Sequence, residues 1–140
     1  MSGVTNFVQL TRLIATSGQP TRTQFAQIAD QDYAVVINLA MADSKRAIPE
    51  EGSIVTSLGM SYIHIPVPFD APSIDQLRQF IGILKGVEGK PVWVHCVRNR
   101  RVSAFMYHYL KLEKKVPESA CRSVMFEEWL PVTSDECKAY

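Results

Sequence analysis

One stretch of the chain groups residue types that do chemistry together: Val92-Trp93-Val94-His95-Cys96-Val97-Arg98-Asn99-Arg100-Arg101-Val102-Ser103. An apolar run ends in His95 and Cys96, a polar stretch with three arginines follows, and a helical pattern comes next. In open α/β sheets, ligands bind outside the carboxyl ends of the strands. A helix start offers free N–H groups and the positive end of the helix dipole. A loop wrapped ahead of it can cradle an oxyanion with successive backbone amides. The same field stabilises a thiolate, so Cys96 is expected to ionise more readily than a free thiol. A thiolate beside an anion cradle is equipped to attack a phosphoryl or related group. The bland alternative is a buried strand-end cysteine; the arginines and the helix start weigh against it.

The elements around this stretch must bring it to a sheet edge. Residues 12–16 are a short β-branched run that breaks at Ser17-Gly18-Gln19-Pro20, a turn cluster. Thr21 or Thr23 can cap a helix carrying Phe25, Ile28 and Ala29 at helical spacing. Residues 34–39 are nearly all apolar and read as a buried strand. A polar loop over 41–48 leads to Pro49-Glu50-Glu51, which opens a short helix running to Leu58 and Gly59. Residues 62–67 are the next strand, ended or kept near an edge by Pro66. Ser73 or Asp75 then caps a helix with Ile74, Leu77, Phe80, Ile81 and Leu84 as its apolar stripe. Residues 91–95 form a strand, Ser103 to Leu112 a helix, and Pro117 starts another. Strands alternate with helices, which predicts an α/β fold: three layers, α/β/α, around a mostly parallel sheet.

At 140 residues, 46% hydrophobic and 21% charged, the chain can bury a core without disulfides. One domain over residues 1–140 is expected, and disorder, collagen and coiled coil are excluded. The longest apolar runs are far too short to span a membrane. Fifteen Lys and Arg against 14 Asp and Glu leave a net charge of +1, which excludes a globally basic nucleic-acid binder. No signal peptide is visible at the start of the sequence, and Cys96, Cys121 and Cys137 show no paired or metal-ligand spacing. A cytoplasmic, reducing location without a structural metal is expected.

His-Cys, a tight loop, Arg and Ser together resemble the signature of cysteine-dependent protein phosphatases, the dual-specificity group above all. The likeness extends upstream through Ile65-Pro66-Val67-Pro68-Phe69-Asp70-Ala71-Pro72, the following helix, and Gly89-Lys90-Pro91-Val92-Trp93-Val94-His95-Cys96. Ser17-Gly18-Gln19-Pro20 and Val36-Ile37-Asn38-Leu39 are similar to a bacterial branch related to beta-lactamase-hydrolase-like domains. One departure stands out. The family places five residues between cysteine and arginine, whereas four separate Cys96 from Arg101, and the sixth position holds Val102. Asn99 stands where the family has a loop glycine; asparagine tolerates left-handed backbone better than most residues.

The resemblance implies a role for each residue. Cys96 is the nucleophile that forms phosphocysteine. Arg101 grips the phosphoryl oxygens, or else is a solvated or ion-paired arginine. His95, Cys96, Val97, Arg98, Asn99, Arg100, Arg101 and Val102 form the phosphate-binding loop. Arg98 and Arg100 either deepen a positive mouth or are plain surface. Ser103 assists the departure of the cysteine, or is merely a helix-start serine. Asp70 is the general acid, with Asp75 as competitor. Phe69 lines the pocket or packs in the core. The expected activity is phosphate monoester hydrolysis without a cofactor, the partner being a phosphorylated substrate or oxyanion, not nucleic acid or membrane. The four-residue spacing also suggests a rhodanese-like sulfurtransferase, or a phosphate-binding module without turnover.

Overall fold

The structure, a computed structural model, describes residues 3–68 and 70–112. Phe69, the helix expected from Pro117, Cys121 and Cys137 lie outside the described residues. The elements in chain order are β1 (Val8–Gln9), β2 (Ile14–Ser17), α1 (Arg22–Asp30), β3 (Val35–Asn38), α2 (Glu51–Ser57), β4 (Ser61–His64), α3 (Ile74–Gly86), β5 (Val92–His95) and α4 (Arg100–Leu112). The sheet order is β1-β2-β5-β3-β4. β2, β5, β3 and β4 run parallel, and only β1 is antiparallel, against β2. The two-residue β1 has too little pattern to be read from sequence.

Strand alternation assigns each side chain to a layer. Val35, Ile37, Val92 and Val94 point to one face and pack with Leu77, Phe80 and Leu84 of α3 and Phe105 of α4. Ala15, Val36 and Trp93 occupy the other face with Phe25 and Ile28 of α1 and Val55 of α2. The result is the three-layer α/β/α arrangement, with mixed but mostly parallel strands. Trp93 is its centre on the second face. Phe7 stacks on it at 5.4 Å, Tyr33 meets it edge-on at 5.2 Å, and its indole N–H donates to Ser17 Oγ at 2.8 Å.

Local chemistry explains the element ends. Thr21 and Gln24 form a reciprocal capping box at the start of α1. Ser73 caps α3 by accepting from the Gln76 amide, leaving Asp75 in the first turn near the positive dipole end. β4 stops at His64, two residues before Pro66, although the Ile65 and Val67 amides still bond to the Asn38 and Leu39 carbonyls. α4 begins at Arg100, three residues ahead of the expected Ser103. The Asn99 carbonyl accepts from the Ser103 amide at 3.2 Å, which makes Asn99 the helix cap. A first turn needs no apolar periodicity, and arginine is a good helix former, so the polar run Arg100-Arg101 belongs to the helix.

Candidate active site

β2, β5 and β3 end in register, with Ser17 beside His95 and His95 beside Asn38. Cys96 therefore emerges from the central strand, at the carboxyl edge of the sheet, flanked by the turns that follow β2 and β3. The connection to α4 is only Cys96, Val97, Arg98 and Asn99. Arg100, Arg101 and Val102, read from sequence as loop, form the first turn of α4.

This short loop is held by the turn after β2 and by Asn6 near the start of the chain. The Cys96 amide donates to the Ser17 carbonyl at 3.3 Å, and the Gln19 amide to the Val97 carbonyl at 3.0 Å. Gly18 pairs with Arg98 in an isolated bridge, and its own amide donates to the Thr5 carbonyl at 2.7 Å. A Cβ on Gly18 would lie 2.4 Å from the Val97 carbonyl oxygen, so only glycine lets the β2 turn approach this closely. Asn99 is fully buried with φ +67°, the left-handed conformation expected where the family has glycine. Its side-chain amide donates to the Asn6 carbonyl at 2.9 Å and to Thr16 Oγ1 at 3.0 Å, while the Asn6 amide group donates to the Arg98 carbonyl at 3.1 Å.

A cavity of about 330 Å³ opens at the loop, lined by Ser44, Lys45, Cys96, Val97, Arg98, Arg100 and Arg101. Cys96 is buried, Arg98 exposed and Arg100 half-buried. Four of the lining side chains are cationic and one is a thiol, a set suited to an oxyanion bound beside a nucleophile. Arg101 is buried, and its Nη1 donates to the Val67 carbonyl at 2.9 Å. Val102, at the family's arginine position, is wholly buried in the α3–α4 core. Successive helical residues point about 100° apart, so the one-residue change of spacing turns the arginine toward the cavity and the valine inward. The Ser103 hydroxyl donates to the Asn99 carbonyl at 2.7 Å, a back-bond within the first turn of α4. Asp70 is exposed in the turn between β4 and α3, and it is not among the residues lining the cavity.

The residues before the cysteine hold a polar network. His95 is fully buried; its Nδ1 lies 3.2 Å from the Cys96 carbonyl oxygen and its Nε2 2.8 Å from Glu51 Oε2. Gln19 Nε2 donates to Glu51 Oε1 at 2.7 Å, and the Asn38 amide group donates to the Tyr62 hydroxyl at 2.9 Å. Burial pushes the Glu51 carboxyl up, but the hydrogen bond and charge of His95, with Gln19 and Tyr62 behind them, hold it below the usual carboxylate range. Burial also raises Tyr62, and the neighbouring Glu51 charge adds to that. Glu51 was read from sequence only as a helix opener. Its position one turn before the buried Val55 is the signal that puts it on the inner face of α2. His64, at the end of β4, is exposed and lies 2.6 Å from the Ala40 carbonyl oxygen. Among the described residues no cluster of three or more His, Cys, Asp or Glu is placed to hold a metal ion, and no helix is long and apolar enough to cross a membrane.

A parallel sheet with a cysteine loop between its central strand and a helix start defines the class of cysteine-dependent phosphatases, and the comparisons agree. The chain belongs to the family described as dual-specificity-type protein tyrosine phosphatase domains fused to NAD+ kinase, whose model matches residues 6–127. It is a cysteine-based phosphatase. A crystal structure of a DUF442 phosphatase candidate from Shewanella putrefaciens CN-32 is 32% identical, with TM-score 0.88, over 98% of this chain and 87% of that one. Two more distant structures share the fold. Tk-PTP in its active form is 22% identical over 86% of this chain and 81% of its own, with TM-score 0.72. TpbA of P. aeruginosa, in complex with phosphotyrosine, is 16% identical over 83% and 68%, with TM-score 0.65. No curated protein matches the chain. Family membership favours the phosphatase reading over the sulfurtransferase and the binding module.

Proposed function

We propose that this single domain hydrolyses phosphate monoesters in two steps on Cys96. In the first, Cys96 Sγ attacks phosphorus, an S–P bond forms and the ester P–O bond breaks. Asp70 gives its proton to the departing oxygen. In the second, water attacks phosphorus, Asp70 takes a proton from that water, the S–P bond breaks and inorganic phosphate leaves. The backbone amides at the start of α4 and the Arg101 guanidinium hold the equatorial oxygens. Arg98, Arg100 and Lys45 attract the anion to the mouth. The Ser103 hydroxyl, bonded back to the Asn99 carbonyl, braces the first turn of α4 behind the cradle. In this reading Asp70, exposed and outside the cavity lining, must approach the leaving oxygen to act in both steps.

The observation that carries this reading is the meeting of Cys96, Arg101 and the α4 N-terminus in the lining of one cavity. The Pseudomonas relative's phosphotyrosine complex supports an aryl phosphate as the substrate class. A cytoplasmic, reducing setting suits a thiolate nucleophile. The test is p-nitrophenyl phosphate turnover across pH under reducing conditions. Cys96→Ser should abolish turnover, and Asp70→Asn should lower it and change the basic limb. Full activity in Cys96→Ser overturns the proposal. If the wild type shows no turnover, thiosulfate should be tried as the alternative substrate.

A further inference from the structure

The buried polar row behind the cysteine contains an ionisable pair that the proposed chemistry does not consume. Glu51 is 4% exposed and comes from α2, while His95 comes from β5. Their contact spans 2.8 Å, and the second carboxylate oxygen is occupied by Gln19. On the other side of the ring, Nδ1 faces the Cys96 carbonyl at 3.2 Å.

These partners dictate where the protons are. A carbonyl oxygen has no proton to give, so Nδ1 must donate. An ionised carboxylate also only accepts, so Nε2 must donate as well. A histidine with protons on both nitrogens is an imidazolium. A buried imidazolium is costly without a partner, and Glu51 supplies the compensating charge. A pair in that state places a cation immediately behind the peptide of Cys96.

Resting on the assignment of Cys96 as nucleophile, we propose that Glu51 is a positioning residue for Cys96: it holds His95 doubly protonated, so that the ring fixes the Cys96 carbonyl and its charge favours the thiolate. Gln19 fixes the carboxylate plane in turn. The other groups facing the pair are Tyr62 of β4, joined to Glu51 and Asn38, and the ring edge of Phe25 of α1 at 5.8 Å from His95. Cys96 itself faces Lys45, Arg98, Arg100 and Arg101 across the cavity. These cations favour the thiolate too, so Glu51 supplies one increment of a larger field.

Two measurements test this, and the deciding readout of each is independent of turnover. In the first, nitrogen NMR on the full-length wild type reads the His95 ring at pH 7.5. Two protonated ring nitrogens are expected; a neutral ring overturns the proposal, and this measurement stands whether or not a variant folds. In the second, the rate of Cys96 alkylation by iodoacetamide is followed across pH in wild type and Glu51→Gln. The rise of the profile should move up by about one pH unit in the variant, the scale of losing a close charged partner. The acid limb of kcat/KM should move with it, while activity well above that limb is retained. An unchanged alkylation profile in folded Glu51→Gln overturns the proposal. A shifted profile without any phosphatase turnover supports the role of Glu51 and counts against the phosphatase reading alone.

Discussion

The Arg101 guanidinium donates to the Val67 carbonyl at 2.9 Å, and Asp70 lies three residues beyond Val67. One side chain thus joins the helix that follows the cysteine loop to the segment that carries the proposed acid. In the proposed mechanism the displaced arginine grips the phosphoryl oxygens from the first turn of α4 while staying tied to the Val67 carbonyl, ahead of Asp70.

Arg101→Lys keeps the charge but loses the planar fork, which lysine cannot reproduce. The expected result is a fall in kcat for p-nitrophenyl phosphate of about 10²-fold or more, the scale of removing one transition-state donor. Arg98→Ala, at an exposed position, should cost far less. The coupling to Asp70 adds a second signature. Phenyl phosphate, whose leaving oxygen needs a proton more than p-nitrophenolate does, should lose more rate than the nitrophenyl ester. Equal losses on the two esters would show that the Val67 link does not bear on acid catalysis.

Gly18 packs the backbone of the β2 turn directly against the cysteine loop. Gly18→Ala places a methyl carbon 2.4 Å from the Val97 carbonyl oxygen, against backbone that has no side chain to swing aside. Either the β2 turn or the loop must move. The expected outcome is a loss of about 1–3 kcal/mol in stability, the usual cost of overpacking. A drop in kcat should accompany it, because Val97 lines the cavity and belongs to the proposed cradle. Thermal unfolding and kinetics on the same preparation check both. An unchanged Tm would mean that the turn yields freely.

How far the site was legible follows from these residues. The strand, the cysteine and the helix after it are local features, carried by apolar runs and spacing. The left-handed backbone at Asn99 was also legible, because residue type and backbone preference point the same way. The pairing of Glu51 with His95 and Gln19 was not, since these partners lie 44 and 32 positions away and the Ser17-Gly18-Gln19-Pro20 cluster reads locally as a turn. The start of α4 was misplaced for a related reason. Its first turn contains arginines that look like loop, and only the Asn99 carbonyl bond shows otherwise.

Asn99 separates two contributions. Its φ of +67° costs a side-chain-bearing residue about 1–2 kcal/mol, and its amide group makes two hydrogen bonds, one buried and one half-buried. Asn99→Gly relieves the backbone cost and loses the bonds. Asn99→Ala loses the bonds and keeps the backbone cost. The alanine variant should therefore be less stable than the glycine variant by about 1 kcal/mol. Both should fall below wild type if the bonds, each worth about 1 kcal/mol, outweigh the strain. Urea denaturation of the three proteins checks the order; a glycine variant more stable than wild type would show that the strain dominates.

The Glu51 carboxyl also predicts a pH dependence of stability. Its ionisation lies lower in the folded chain than in the unfolded one, despite the opposing effect of burial. Wherever the unfolded state binds more protons, stability rises with pH. The contribution of Glu51 is therefore fully present above the usual carboxylate range. It is lost as pH falls through the folded-state ionisation, when the carboxylate that His95 and Gln19 face becomes protonated. Glu51→Gln cannot ionise and should lack this component. The gap in Tm between wild type and Glu51→Gln should be widest near neutral pH and should close progressively in acid below about pH 4, the ordinary range of a free glutamate. Thermal unfolding followed by circular dichroism from pH 3 to 8 checks it. A gap that stays constant across that range would mean that Glu51 stabilises the fold through packing alone.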